Sequence, residues 1–179
     1  MARIHAGLSE AIGALAYRDY RRFALSLLLT SVGAQLVQTA IFWQIYEITG
    51  SALQLGLTGL ARALPHMVLS LVGGVIADRA NRVRLIQSGQ VANGIVVLAL
   101  AVLTMTGEVQ VWHLYVVTFL NSAFTAVTQP AHTALIPMLI PREKLINGVA
   151  LNATIGQASQ IARPALAGIL IGGMNLEAT

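Results

Sequence analysis

The 179-residue chain contains no cysteine and little charge. Without a thiol there is no disulfide framework, no thiolate metal site and no cysteine nucleophile. Only 10% of its residues are Asp, Glu, Lys or Arg, against about a quarter in a typical soluble domain. Hydrophobic residues make up 56% and mean hydropathy is +0.72. Such a chain cannot cover a water-facing surface with charge, and a bilayer is its better solvent. A net charge of +4 and a pI near 10.1 would suit nucleic acid. The arginines, however, sit at the ends of apolar segments, which is the pattern of membrane orientation, so no nucleic-acid partner is expected. No cleavable signal is expected either. The first long apolar run begins near Phe23, behind Arg18, Arg21 and Arg22, and is too long for a signal h-region. The chain has no H-E-x-x-H, G-x-S-x-G, Walker A or paired-carboxylate constellation. His5, His66, His113 and His132 show no metal-ligand spacing. These absences argue against an enzyme and imply no cofactor and no metal.

What the chain does have is five apolar segments, about 23–46, 52–77, 85–105, 111–133 and 146–173. Each is roughly long enough for a ~30 Å hydrocarbon core. The breaks "EITGS", "DRANRVR", "TGEVQ" and "IPREK" are short, so neighbouring segments run antiparallel. Lipid leaves no backbone group unsatisfied, and the segments are therefore expected to be helices. The fold class is an all-α, polytopic membrane protein with about five spans. Arg3, Arg18, Arg21 and Arg22 precede the first span, Arg79, Arg82 and Arg84 separate the second and third, and Arg142 and Lys144 separate the fourth and fifth. The opposite side receives Glu47, Glu108 and Glu177 and no Lys or Arg. The positive-inside rule then puts the N-terminus in the cytoplasm. Residues 1–22 read as a cytoplasmic segment in which Leu8, Ile12 and Leu15 share helical spacing. They fit a short interfacial helix or an unstructured tail. Residues 23–179 read as an incomplete transmembrane bundle.

The stretch "GGVIADRANRVRLI", Gly73 to Ile86, gathers an acid and three arginines in a greasy chain. Asp78 falls at the C-terminal end of the second span, where a helix carries partial negative charge and an anion needs an offsetting partner. Arg79 and Arg82 are within reach, and the N-terminus of another helix would also serve. Gly73 and Gly74 would let a second helix approach closely. Asn81 could take the left-handed turn conformation that other non-Gly residues resist.

"GGVIADRANRVR" resembles the loop 2–3 signature of the major facilitator superfamily, matching at Gly74, Ala77, Asp78, Arg79 and Arg82. Asn81 stands where that family usually has Gly, and Val83 where it often has a base. "YRDYRRFALSLLLTSVGAQLVQTAIFWQIYEITGSALQLGL" and "QPAHTALIPMLIPREKLINGVALNATIGQASQIARPALAG" resemble the first-helix and helix 4–5 regions of its enterobactin and macrolide exporter branch. The resemblance implies part of the N-terminal six-helix half of a twelve-helix fold built from inverted repeats. It also implies a role for Asp78 at the cytoplasmic face, contacting the other half of the transporter and holding one access state. Pro164 and Gly168 fit the Gly-Pro-x-x-x-Gly pattern of antiporters, but Arg163 replaces its first Gly, and the fourth span lacks the Arg-x-x-x-Gly pattern of some proton-coupled drug exporters.

Polar residues form faces inside the spans. Ser31, Gln35, Gln38, Phe42 and Tyr46 share one face of the first, and Thr118, Asn121, Thr125, Thr128 and His132 one face of the fourth. Asn152, Gly156, Gln160 and Arg163 line up in the fifth. Polar groups facing lipid are costly, so these faces turn inward. For any single Ser or Thr an interhelical hydrogen bond is the better account, whereas for the Gln35–Gln38 pair and the stripe of the fourth span a water-filled cavity is about as good an account. The resemblance favours a cavity, because the family's first and fourth helices line its central pathway. Gln35, Gln38, Phe42, Asn121, Thr125, Thr128, His132 and Arg163 are then the expected substrate-pathway residues. The aromatic rings suit a large, partly apolar substrate. Arg163, an intramembrane cation, would bind an anionic substrate group or answer an acid on a helix outside this chain.

The sequence therefore points to secondary-active efflux of a small amphipathic compound by alternating access. The expected setting is a multi-pass protein of the inner (plasma) membrane, with the lipid bilayer, a small-molecule substrate and the remaining transporter helices as partners. The competing reading is a truncated, non-transporting remnant or a membrane interaction subunit.

Overall fold

The computed structural model describes residues 17–141 and 145–158, apart from the Asp78 side chain. Five helices account for nearly all of them. They are α1 (Arg18–Thr49), α2 (Ala52–Arg79), α3 (Arg82–Met105), α4 (Val111–Leu139) and α5 (residues 145–158). The first four are long and apolar enough to cross a membrane. At 1.5 Å per residue, 24 to 32 residues give about 36–48 Å, more than the ~30 Å core requires. The chain is thus a multi-pass, all-α membrane protein. The expected fifth span, 146–173, begins on α5 and continues outside the described residues; Arg163, Arg142, Lys144 and residues 1–16 of the N-terminal segment 1–22 also lie outside them, while Arg18–Arg22 belong to α1.

The connections are as tight as the sequence breaks suggest. Gly50, with φ +59°, turns the chain between α1 and α2, and its N–H donates to the Tyr46 carbonyl at 2.8 Å. Gly107, with φ +74°, does the same between α3 and α4. Among the described residues, only these positions take the left-handed conformation that glycine adopts freely. Asn81 does not, contrary to expectation. Its φ is −68°, and it caps α3, its Oδ1 accepting from the N–H groups of Val83 (3.1 Å) and Arg84 (3.2 Å). An amide at this position satisfies two donors that a helix start leaves open, so the turn needs no glycine.

The chain forms two compact units, and α1 and α4 each contribute to both. The first comprises the chain up to Thr39 and from Ile136 onward. Its core gathers Tyr20, Ala24, Ile136, Ile140 and Ile155, and the Tyr20 hydroxyl donates to the Gly148 carbonyl at 2.8 Å. The second, Ala40–Leu135, holds α2, α3 and most of α4. Small residues such as Thr58, Ala77, Ser122, Ala126 and Ala131 are buried there beside Ile41, Ile45, Ile86, Leu100 and Leu114. Many other large apolar ones point outward, with Leu71 79% and Leu53 75% exposed. A soluble protein would not leave so many large apolar side chains exposed. Lipid accepts leucine, and small residues let helices approach closely.

Candidate functional site

The residues that the sequence singles out around Asp78 lie in the second unit. Asp78 is in the last turn of α2, and Arg79, exposed, ends the helix. Ala80 and Asn81 alone link α2 to α3, whose first residue is Arg82. Above the link, Ala77, Ile86 and Ala131 form a small buried cluster flanked by Leu85 and Leu135, which ties α2, α3 and α4 together. Arg82 reaches across to α4, and its Nη1 donates to the Ala134 carbonyl at 3.2 Å.

The two glycines of the stretch are not equivalent. A Cβ on Gly73 would lie 2.6 Å from the Ala126 carbonyl oxygen and 2.8 Å from the Val127 Cα. A Cβ on Gly74 would meet nothing within 4 Å among the described residues. Close approach within the described residues therefore occurs at Gly73, while the side of α2 at Gly74 is not covered by another described helix.

A common theme links these contacts. Proline removes the donor for the carbonyl four residues earlier and crowds that turn. In membranes such groups need help from neighbouring helices. Pro65 disturbs the turn holding the Arg62 carbonyl, and Ser122 on α4 donates to that carbonyl at 2.6 Å. Pro130 leaves the Ala126 carbonyl without its helical donor, and the backbone of Gly73 packs against it. The turn before Pro137 contains Ala134, the acceptor of Arg82. A group from an adjacent helix thus meets the freed carbonyl itself at Pro130, and the carbonyl one residue after the freed one at Pro65 and Pro137.

The polar stripe on α4 borders α3. Asn121 Nδ2 donates to Asn93 Oδ1 at 3.0 Å. Thr128 presses its methyl on Gly89, where a side chain would collide with it. The hydroxyls of Thr118, Thr125 and Thr128 donate to carbonyls one turn back on their own helix, at 2.8, 2.8 and 2.9 Å. Of the two explanations left open for the stripe, an interhelical hydrogen bond is realised at Asn121. Thr125 is exposed, and Asn121, Thr128 and His132 are half-buried. On α1, Gln35, Gln38 and Phe42 are all half-buried, and Tyr46 is 54% exposed. Arg62 and His66 lie exposed on α2. Asn93 and Gly89 do not belong to either stripe. The one signal for Asn93 is its depth, an amide inside an otherwise apolar run.

With this geometry in view, residues 10–176 match the family model described as transmembrane secretion effector, of the major facilitator superfamily. The chain belongs to that family. Macrolide efflux protein A of Streptococcus pyogenes is 32% identical over 158 residues, covering 87% of this chain and 37% of that protein. Macrolide efflux protein A of Enterococcus faecalis is 33% identical over 132 residues, covering 72% and 40%. The enterobactin exporter of Salmonella typhimurium is 27% identical over 152 residues, covering 85% and 37%. These relatives are transporters by name, and the chain spans about two fifths or less of their length. No solved structure matches it. Within this secretion effector family, the asparagine cap at residue 81 explains how the chain dispenses with the glycine usual in the signature.

Proposed function

We propose that this chain supplies the cytoplasmic switch and part of the substrate path of an exporter. That exporter moves a small amphipathic compound, of drug or siderophore type, out of the cell by alternating access. The observation that carries the reading is the α2–α3 link. It is only two residues long, it is anchored to α4 by Arg82, and it holds Asp78 in the last turn of a helix whose dipole disfavours an anion. Beside Arg79 and Arg82, which are near it in the sequence, the partner proposed for this acid is the positive end of a helix in the remaining part of the transporter. Gly74, facing open space one turn before Asp78, leaves room for that approach.

In this reading residues 1–22 are cytoplasmic and 23–179 belong to a transmembrane bundle of the inner (plasma) membrane. Gln35, Gln38 and Phe42 on α1, and Asn121, Thr125, Thr128 and His132 on α4, are substrate-pathway residues, together with Arg163. Thr125, the most exposed of the α4 stripe, offers its free hydroxyl lone pairs to a solute. The test is drug or siderophore accumulation in cells carrying the whole transporter. Asp78→Asn should raise accumulation to the level of cells without the gene while protein abundance in the membrane is unchanged. Export at the wild-type rate would refute the switch role.

A further inference from the structure

The first unit carries a groove that the transport reading does not use. It has a volume of about 460 Å³ and is walled by Ala24, Leu25 and Leu28 of α1 and Leu151 and Ile155 of α5, with Arg21 and Arg22 at one end. That volume falls in the range of ligand pockets, about 300–1,000 Å³. The groove is open along its side, and its walls are apolar. From Arg22 to Leu28 a helix rises about 9 Å, roughly the depth of a glycerol backbone and the first part of an acyl chain.

The charges at its mouth have one sign in excess. Among the described residues, Arg18, Arg21 and Arg22 lie beside one acid in the sequence, Asp19, whose Oδ1 is 3.8 Å from Arg22 Nη1. That pair is exposed on both sides, 65% for Arg22 and 76% for Asp19, and surface pairs of this kind hold weakly. A basic rim over an apolar slot between two helices is complementary to one amphiphile, with a negative head and a hydrocarbon tail. A bare helix in the slot would satisfy the walls and leave the arginines unanswered.

We propose that this groove is a binding site for an anionic phospholipid, its phosphate held by Arg21 and Arg22 and its upper acyl chain lying along Leu25, Leu28, Leu151 and Ile155. The proposal does not depend on export activity or on the identity of the transported compound.

Native mass spectrometry of the purified protein in detergent tests it. The probes are phosphatidylglycerol and phosphatidylcholine with the same acyl chains, and soluble glycerophosphate. Phosphatidylglycerol should be retained in preference, by about fivefold for each arginine engaged. Arg21→Gln with Arg22→Gln should abolish the preference, whereas Arg21→Lys with Arg22→Lys should keep it. Leu25→Trp, which fills the slot and spares the charges, should lower retention of phosphatidylglycerol. Arg84→Gln, an exposed arginine of α3, should change nothing. Four results would each overturn the site: equal retention of the two lipids, no retention of either, the same loss from Arg84→Gln, or glycerophosphate displacing phosphatidylglycerol at equal concentration. The last would mean a simple anion site, and the second a slot covered by protein.

Discussion

At Gly73 the difference between hydrogen and a methyl group decides how near α2 can come to α4. A Cβ there would overlap backbone atoms of Ala126 and Val127, which cannot rotate aside as a side-chain tip could. Gly73→Ala should therefore push the helices apart and cost about 1–3 kcal/mol, as overpacking does. Gly74→Ala meets open space and should leave stability within about 0.5 kcal/mol, with a small gain in helix propensity. Unfolding of the two variants in detergent micelles checks the contrast, and equal losses would show that the helices are not closest at Gly73. Gly74→Ala should nonetheless lower export if that open side receives another helix of the transporter. A loss of function without a loss of stability is the signature to seek.

At the scale of helices, what the sequence made legible was whatever depends on a residue's own neighbours in the chain. Helix type, the short links and the chain reversals at Gly50 and Gly107 follow from apolar runs and their punctuation. What depends on which helix lies beside which was not legible. Periodicity puts Asn121 and Thr128 on one face, but it does not say that Asn93 and Gly89 lie opposite. Nor does it distinguish Gly73 from Gly74, because a hundred degrees of rotation separates contact from open space. Asn81 was misread for another reason, since one side chain can serve as a turn former or a helix cap, and the start of α3 decides for the cap. Arg82 was read as a positive-inside charge with a share in the Asp78 cluster, yet it also holds α4 at the turn before Pro137. Its loss should therefore be felt in α4. A hydrogen bond to a charged group is worth about 1.5–3 kcal/mol, and half-burial argues for the low end. Arg82→Gln should cost about 1.5 kcal/mol in micelle unfolding. Arg84→Gln, exposed two residues on, should stay within about 0.5 kcal/mol. Indistinguishable values would reduce Arg82 to a topology signal.

At the scale of the molecule, direction across the bilayer rests on charge and on the number of crossings. Four long apolar helices joined by links of two to five residues must alternate in direction. The entry to α1 and the α2–α3 link therefore share one side, and the α1–α2 and α3–α4 links the other. The first side carries Arg18, Arg21, Arg22, Arg79, Arg82 and Arg84 among the described residues, and the second carries Glu47 and Glu108. Loops this short are the ones in which lysine and arginine fix orientation, so the arginine side should be the cytosol. The absence of cysteine makes the test direct, because one introduced thiol is the only thiol in the chain. Ala80→Cys and Glu108→Cys both place it at an exposed position in a link. In intact cells a membrane-impermeant maleimide should label Glu108→Cys and should reach Ala80→Cys only after the membrane is opened. The reverse pattern would put Asp78 outside the cell, where it could not act as a cytoplasmic switch. Labelling of both positions in intact cells would mean that the helices do not alternate, and the membrane-spanning reading of the four would fail with it.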